Sequence, residues 1–79
     1  MKKAEKLLIK LQSEQFKNWS FSDFQLLLSH LGFRLDRIGG SHHIYIAPDQ
    51  TILPVQPKKG EAIVYQLRQL RNWLDRQSE

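Results

Sequence analysis

The chain contains no cysteine. That absence excludes a disulfide framework, a thiolate metal site and a cysteine nucleophile. Long apolar runs are missing too, the longest spanning only about four residues, so no transmembrane helix fits. Met1-Lys2-Lys3 is basic, but no apolar stretch of signal-peptide length follows it. The expected location is therefore the cytoplasm, with no membrane partner. There is also little chain: 79 residues predict a single domain over 1–79. A chain of this size buries only about 60% of the surface its unfolded form exposes. One modest core of that kind argues against a cofactor-binding enzyme with a deep, walled pocket. No internal repeat, low-complexity tract or linker interrupts the sequence.

Charge is present in excess of one sign. Lysine and arginine total 12 against 8 aspartate and glutamate, a net charge of +4. A small basic domain has an electrostatic reason to bind polyanions, although a charge of this size also serves simple solubility.

Hydrophobic spacing divides the chain into short elements. Ala4, Leu7, Leu8 and Leu11 fall on one helix face, within a helix expected from Lys2 to about Lys17. Ser20 is a suitable N-cap for a second helix. Asp23 is placed to return a bond to the cap, and Trp19 and Phe24 to staple across it. Phe24, Leu27, Leu28 and Leu31 form its buried stripe, and Gly32 suits the left-handed position that ends it. Period two then takes over. Phe33 to Ile38, Ser41 to Ala47 and Thr51 to Gln56 are expected strands, joined by turns at Gly39-Gly40 and Pro48-Asp49-Gln50. Pro54 has no N–H, which places the last strand at an edge or at a bulge. From Glu61 the helical period returns through Ile63, Leu67, Leu70 and Leu74, with Tyr65 and Trp73 off the main stripe as partial core or partner surface. The expected order is α-α-β-β-β-α, an α+β domain with a three-stranded antiparallel sheet and helices on one face.

The densest polar cluster is Gly39-Gly40-Ser41-His42-His43-Ile44-Tyr45. Neighbouring strand residues point to opposite faces, so His42 and His43 do not serve one small site. This argues against a two-histidine metal centre, and no metal or cofactor is expected. A single histidine remains a candidate general acid or base. The paired glycines present no side chain to an approaching backbone. Ser41 is expected as a turn hydroxyl and not as a nucleophile. Lys58 and Lys59 precede a helix N-terminus, where backbone N–H groups and the helix dipole already favour an anion. Asp36 and Asp49 have no evident partner. Paired carboxylates, a P-loop and a dinucleotide fingerprint are all lacking.

Leu31-Gly32-Phe33, Gly40-Ser41-His42-His43-Ile44-Tyr45, Pro48-Asp49 and Leu53-Pro54-Val55 together resemble the HicA toxins of bacterial toxin–antitoxin systems. The likeness runs from about Phe21 to Leu74, so the core would cover 19–76, with 1–18 an additional N-terminal helix. It implies a fold like that of double-stranded-RNA-binding domains. It also implies a metal-independent ribonuclease acting on messenger RNA, and neutralisation by a HicB-like antitoxin. The family's functional histidine, directly after Gly-Ser, corresponds to His42, approached past Gly40 and Ser41. Arg34, Arg37, Lys58 and Lys59 are the expected RNA contacts. Many short members carry a histidine after Pro-Val, where this chain has Gln56. Two other classes of function fit the same composition: an RNA-binding module without catalysis, and a protein-interaction domain whose partner is an antitoxin. Only the ribonuclease needs the His42 side chain for turnover.

Overall fold

The computed structural model describes residues 1–78. Its elements follow the expected order: α1 (Lys3–Gln12), α2 (Phe21–His30), β1 (Arg34–Gly39), β2 (His42–Ile46), β3 (Ile52–Val55) and α3 (Val64–Gln77). Local chemistry sets most of the boundaries. α1 ends well before Lys17, because Glu14 (φ 59°) and Asn18 (φ 60°) take left-handed conformations that no helix continues through. The Ser20 hydroxyl accepts the Asp23 N–H at 3.0 Å and so caps α2. The Asp23 carboxylate does not complete a reciprocal box but turns to Lys3 of α1, at 2.9 Å. At the other end of α2, Phe33 N–H donates to Leu28 O and Gly32 N–H to Ser29 O. This double closure needs a left-handed residue between, and Gly32 supplies it at φ 91°. A Cβ on Gly32 would also meet Pro48 Cγ at 3.0 Å, so the position is closed to larger residues on two counts.

The sheet has the order β1-β2-β3, all antiparallel. β3 is an edge strand, which accommodates Pro54 opposite Ile44. The bulge lies elsewhere, in β1: Leu35 faces Tyr45 and Arg37 faces Ile44, leaving Asp36 as the extra residue. Tyr45, Leu53 and Val55 alternate onto the buried face. Ile44, Ile46, Ile52 and Pro54 alternate onto the other face, where Ile52 is 63% exposed. The helices cover the first face only. The Gln25 amide of α2 reaches the Tyr45 hydroxyl at 3.0 Å across that interface.

The core joins all three helices to the sheet. Leu11, Phe24, Leu27, Leu28, Leu67 and Leu70 are fully buried. Leu11 comes from α1, which packs on α2 and α3 and makes the extra helix part of the core. Trp19, in the α1–α2 connection, is 1% exposed and donates its indole N–H to Gln15 O at 2.7 Å. Trp73, expected only at the margin of the core, is 6% exposed and packs edge-on against Phe33 at 4.7 Å. No described helix is long and apolar enough to cross a membrane.

Two positions depart from expectation for long-range reasons. α3 begins at Val64 and not at Glu61, because Lys58 and Glu61 exchange backbone hydrogen bonds and hold 58–61 as a tight turn. Ala62 N–H then donates to Trp19 O, outside any helix. Asp49, which has no partner evident in the sequence, accepts from Trp73 Nε1 at 3.1 Å and from Thr51 N–H at 3.1 Å, with Gln77 at 3.5 Å. Hydrogen bonds from Thr51, through its hydroxyl and its backbone N–H, and then from Trp73, hold the Asp49 carboxyl below the ordinary carboxylate range.

Two outcomes follow for stability. Leu11→Ala leaves a cavity under α1 and should destabilise the chain by about 2–5 kcal/mol in denaturant unfolding. The depressed Asp49 pKa contributes stability that is present above the ordinary carboxylate pKa and is lost as pH falls through the lower folded value. Asp49→Asn should therefore melt below wild type at neutral pH. The gap between the two should narrow on acidification through that window, as thermal melts across the acid range would record.

Candidate functional site

The polar cluster folds into the tip of the β1–β2 hairpin. Gly39 pairs with His42, so Gly40 and Ser41 form a two-residue turn. Gly40 has φ 61° while Ser41 stays out of the left-handed region, the pattern of a turn with glycine at its first central position. A Cβ on Gly40 would meet nothing within 4 Å, so backbone conformation and not crowding selects glycine here. His42 is the first residue of β2 and is exposed. Strand alternation sends it to the uncovered face that carries Ile44 and Ile46.

His43 goes the other way. It pairs with Ile38 on one side and with the buried Val55 on the other. Its ring meets Phe21 edge-on, with centroids 5.0 Å apart at 67°. Its Nδ1 lies 3.0 Å from Ser41 O. A carbonyl oxygen only accepts, so this contact puts a proton on Nδ1 and leaves Nε2 as the second ring position. The two histidines thus stand on opposite faces.

Lys58 and Lys59 stand at the same end of the sheet. β3 ends at Val55, opposite His43, and the chain then enters the 58–61 turn. Both lysines are exposed, and Lys59 has φ 52°. Their setting differs from the expected helix N-terminus, since α3 starts beyond them and the Lys58 N–H is taken by Glu61 O at 2.9 Å. An anion here would meet side-chain ammonium groups on a turn. Phe21 links this turn to the histidine hairpin: its N–H donates to Gly60 O at 2.9 Å while its ring packs on His43. Gln56, after β3, donates its backbone N–H to Gln66 Oε1 at 3.1 Å.

The expected cationic surface divides. Arg37, opposite Ile44, lies two residues along the paired strand from His42. Arg34 lies opposite Ile46, four residues along, which at a rise of about 3.3 Å per residue is roughly 13 Å away. Its guanidinium is 3.3 Å from Asp36 Oδ1. The fold therefore gathers His42, Gly40, Ser41, Lys58 and Lys59 at one end, brings Arg37 near and leaves Arg34 towards the other end. Among the described residues no three histidine, aspartate or glutamate side chains converge as a metal-binding group.

The positions missed in the sequence are Phe21 and the Nδ1 contact of His43. The sequence does carry one hint of Phe21, a large apolar residue directly after the Ser20 cap. Tyr65, on the first turn of α3, is 68% exposed and adds nothing to the core.

The search of curated proteins and the search of solved structures returned no match. Residues 21–75, more than two thirds of the chain, match the family model described as HicA toxin of bacterial toxin-antitoxin. The match opens on the first residue of α2, so α1 lies outside it.

Proposed function

The chain belongs to the HicA toxin family of bacterial toxin–antitoxin systems, and from that premise we propose that it is a metal-independent endoribonuclease that cleaves messenger RNA in the cytoplasm, with His42 as its catalytic residue. The observation that carries the reading is the exposure of His42 at the head of β2, on the face of the sheet that no helix covers. A folded RNA strand or loop can reach such a position without any pocket opening. Gly40 and Ser41 beside it keep the approach free of large side chains.

The chemistry asks for little. RNA carries its own nucleophile in the 2′-hydroxyl. His42 removes that proton as O2′ bonds to the adjacent phosphorus, and the P–O5′ bond then breaks. The leaving O5′ takes a proton from water or from a neighbouring ammonium group such as Lys58 or Lys59, while Arg37 can only offset charge. The products are a 2′,3′-cyclic phosphate and a 5′-hydroxyl end. Cations near the phosphorus offset the charge that builds on its oxygens. General acid–base help of this kind is worth about 10²–10⁴-fold, enough for a toxin whose targets are few.

Membership of a toxin–antitoxin family implies an antitoxin partner. In our reading that partner is a HicB-like protein that covers the open sheet face and the approach to His42. Ile44, Ile46, Ile52 and Pro54 offer it an apolar strip, rimmed by Arg34 and Arg37. Occlusion silences turnover without unfolding the toxin, and complementary charge speeds the encounter.

His42→Ala should lower RNA cleavage by about 10²–10⁴-fold, with chelator present throughout, and should leave the fold and RNA binding intact. Normal cleavage by His42→Ala would overturn the assignment and favour a module that only binds. The paired change Lys58→Ala and Lys59→Ala should weaken binding to every RNA sequence alike. It should also flatten the plot of log K against log salt by about 0.7 per lysine, as expected for single strands. An unchanged slope would remove these lysines from the phosphate contacts.

A further inference from the structure

His43 is absorbed neither by the proposed catalysis nor by the apolar core, yet it makes two specific contacts. Its Nδ1 lies 3.0 Å from Ser41 O, and its ring rests edge-on against Phe21 at 5.0 Å. Phe21 is itself 8% exposed and anchored by its own N–H on Gly60 O. The ring is thus held from inside the protein and offers one N–H back to the turn.

The bond reaches a telling atom. Ser41 O belongs to the peptide that joins Ser41 to His42. Fixing that plane fixes the backbone torsions on either side of it, and so the direction in which the His42 side chain leaves the strand. The Gly39–His42 pair closes the turn, but no other side chain braces it. Gly39 and Gly40 bring no side chains, and a Cβ at either would meet nothing within 4 Å. Glycine also has the widest backbone freedom of any residue. Catalytic geometry is lost through displacements of about 1 Å, so a loosely held turn would be costly.

We propose that His43 is a positioning residue for His42: its Nδ1–H clamps the Ser41 carbonyl, and Phe21 holds the clamp in place. The proposal rests on the ribonuclease reading for its consequence in catalysis, though not for the clamp itself. Free histidine favours the Nε2–H tautomer, so the clamp leaves a signature: a neutral His43 ring carries its proton on Nδ1. The side chain can also be imitated in parts. Asparagine places an amide N–H where Nδ1 stands, without the ring. Phenylalanine keeps the ring on Phe21 without the donor.

The full chain, His43→Asn and His43→Phe are compared in two ways. The first is kcat and KM for cleavage of a 5′-labelled single-stranded RNA. The second is nitrogen-15 NMR of the imidazole and of the Ser41 and His42 amides, with no RNA present. His43→Phe should lose about ten- to a hundredfold in kcat with KM nearly unchanged. His43→Asn should recover most of that loss, and its Ser41 and His42 amide signals should stay near the wild-type positions while those of His43→Phe move. An Nε2–H tautomer in the wild-type chain overturns the proposal. So does a His43→Asn as impaired as His43→Phe, or a His43→Phe as active as wild type. A wild-type chain that cleaves no RNA sinks the ribonuclease reading alone, and the tautomer and amide signals then uphold or overturn the clamp. If His43→Phe does not fold, the tautomer and the His43→Asn signals decide in the same way.

Discussion

The arrangement at the hairpin end of the sheet hangs on Phe21. Its backbone N–H ties the lysine turn through Gly60 O, and its ring backs His43 on the hairpin. The same ring meets Phe24 edge-on at 6.4 Å, which roots it in the core. One residue later than the helix cap, it is positioned by the hydrogen bond that fixes Ser20. Trp19 O completes the tie by accepting from Ala62 N–H. These paired backbone bonds make a short two-sided seam between the start of α2 and the segment entering α3. Without it, the turn at 58–61 and the hairpin tip would be held together only through the ends of β2 and β3.

Much of this fold is legible in the sequence, because it is written in local chemistry. The Ser20 cap, the Gly32 terminator and the period-two runs each depend on residues within a few positions of one another. The opposite facing of His42 and His43 follows from alternation alone. What escapes the sequence is decided across the chain. The start of α3 moves because backbone bonds between Lys58 and Glu61 close a turn, which Trp19, far upstream, ties down through the Ala62 N–H. Asp49 gains partners from Trp73 and Gln77, at the end of a helix it does not adjoin in sequence. The bulge at Asp36 follows from register, and register belongs to a pair of strands and not to either alone. For the candidate site, the histidines and the lysine turn are readable as residues, whereas the placing of Arg34 and Arg37 on one sheet face, opposite Ile46 and Ile44, requires the bulged pairing.

The helix outside the family match is integrated with what the match covers. α2 and α3 would otherwise lack the apolar cover that the buried Leu7 and Leu11 of α1 bring to the shared core. α1 adds a third layer on the side of the helices, and it leaves the outer sheet face as open as it would be without it. Its lysines are partly engaged within the fold: Lys3 pairs with Asp23, and Lys10 lies over the Trp19 ring at 5.1 Å while donating to Asn18 O. Such contacts orient the helix more than they stabilise it, since exposed ion pairs contribute little. The division of labour is plain in the architecture: the N-terminal segment thickens the core, and the sheet face opposite it keeps its access.

An open sheet face carries a hazard that the two strand borders offset. A sheet with free borders is a template on which other chains can add strands and grow into fibres. At one border, β3 is only four residues long and contains Pro54, which has no N–H to offer. At the other, β1 carries Arg34, Asp36 and Arg37 and breaks its own ladder at the bulge. Neither border presents the long, flat and uncharged ladder that propagates cross-β stacking. The molecule can thus leave one side of its sheet bare while both rims are blunted against polymerisation.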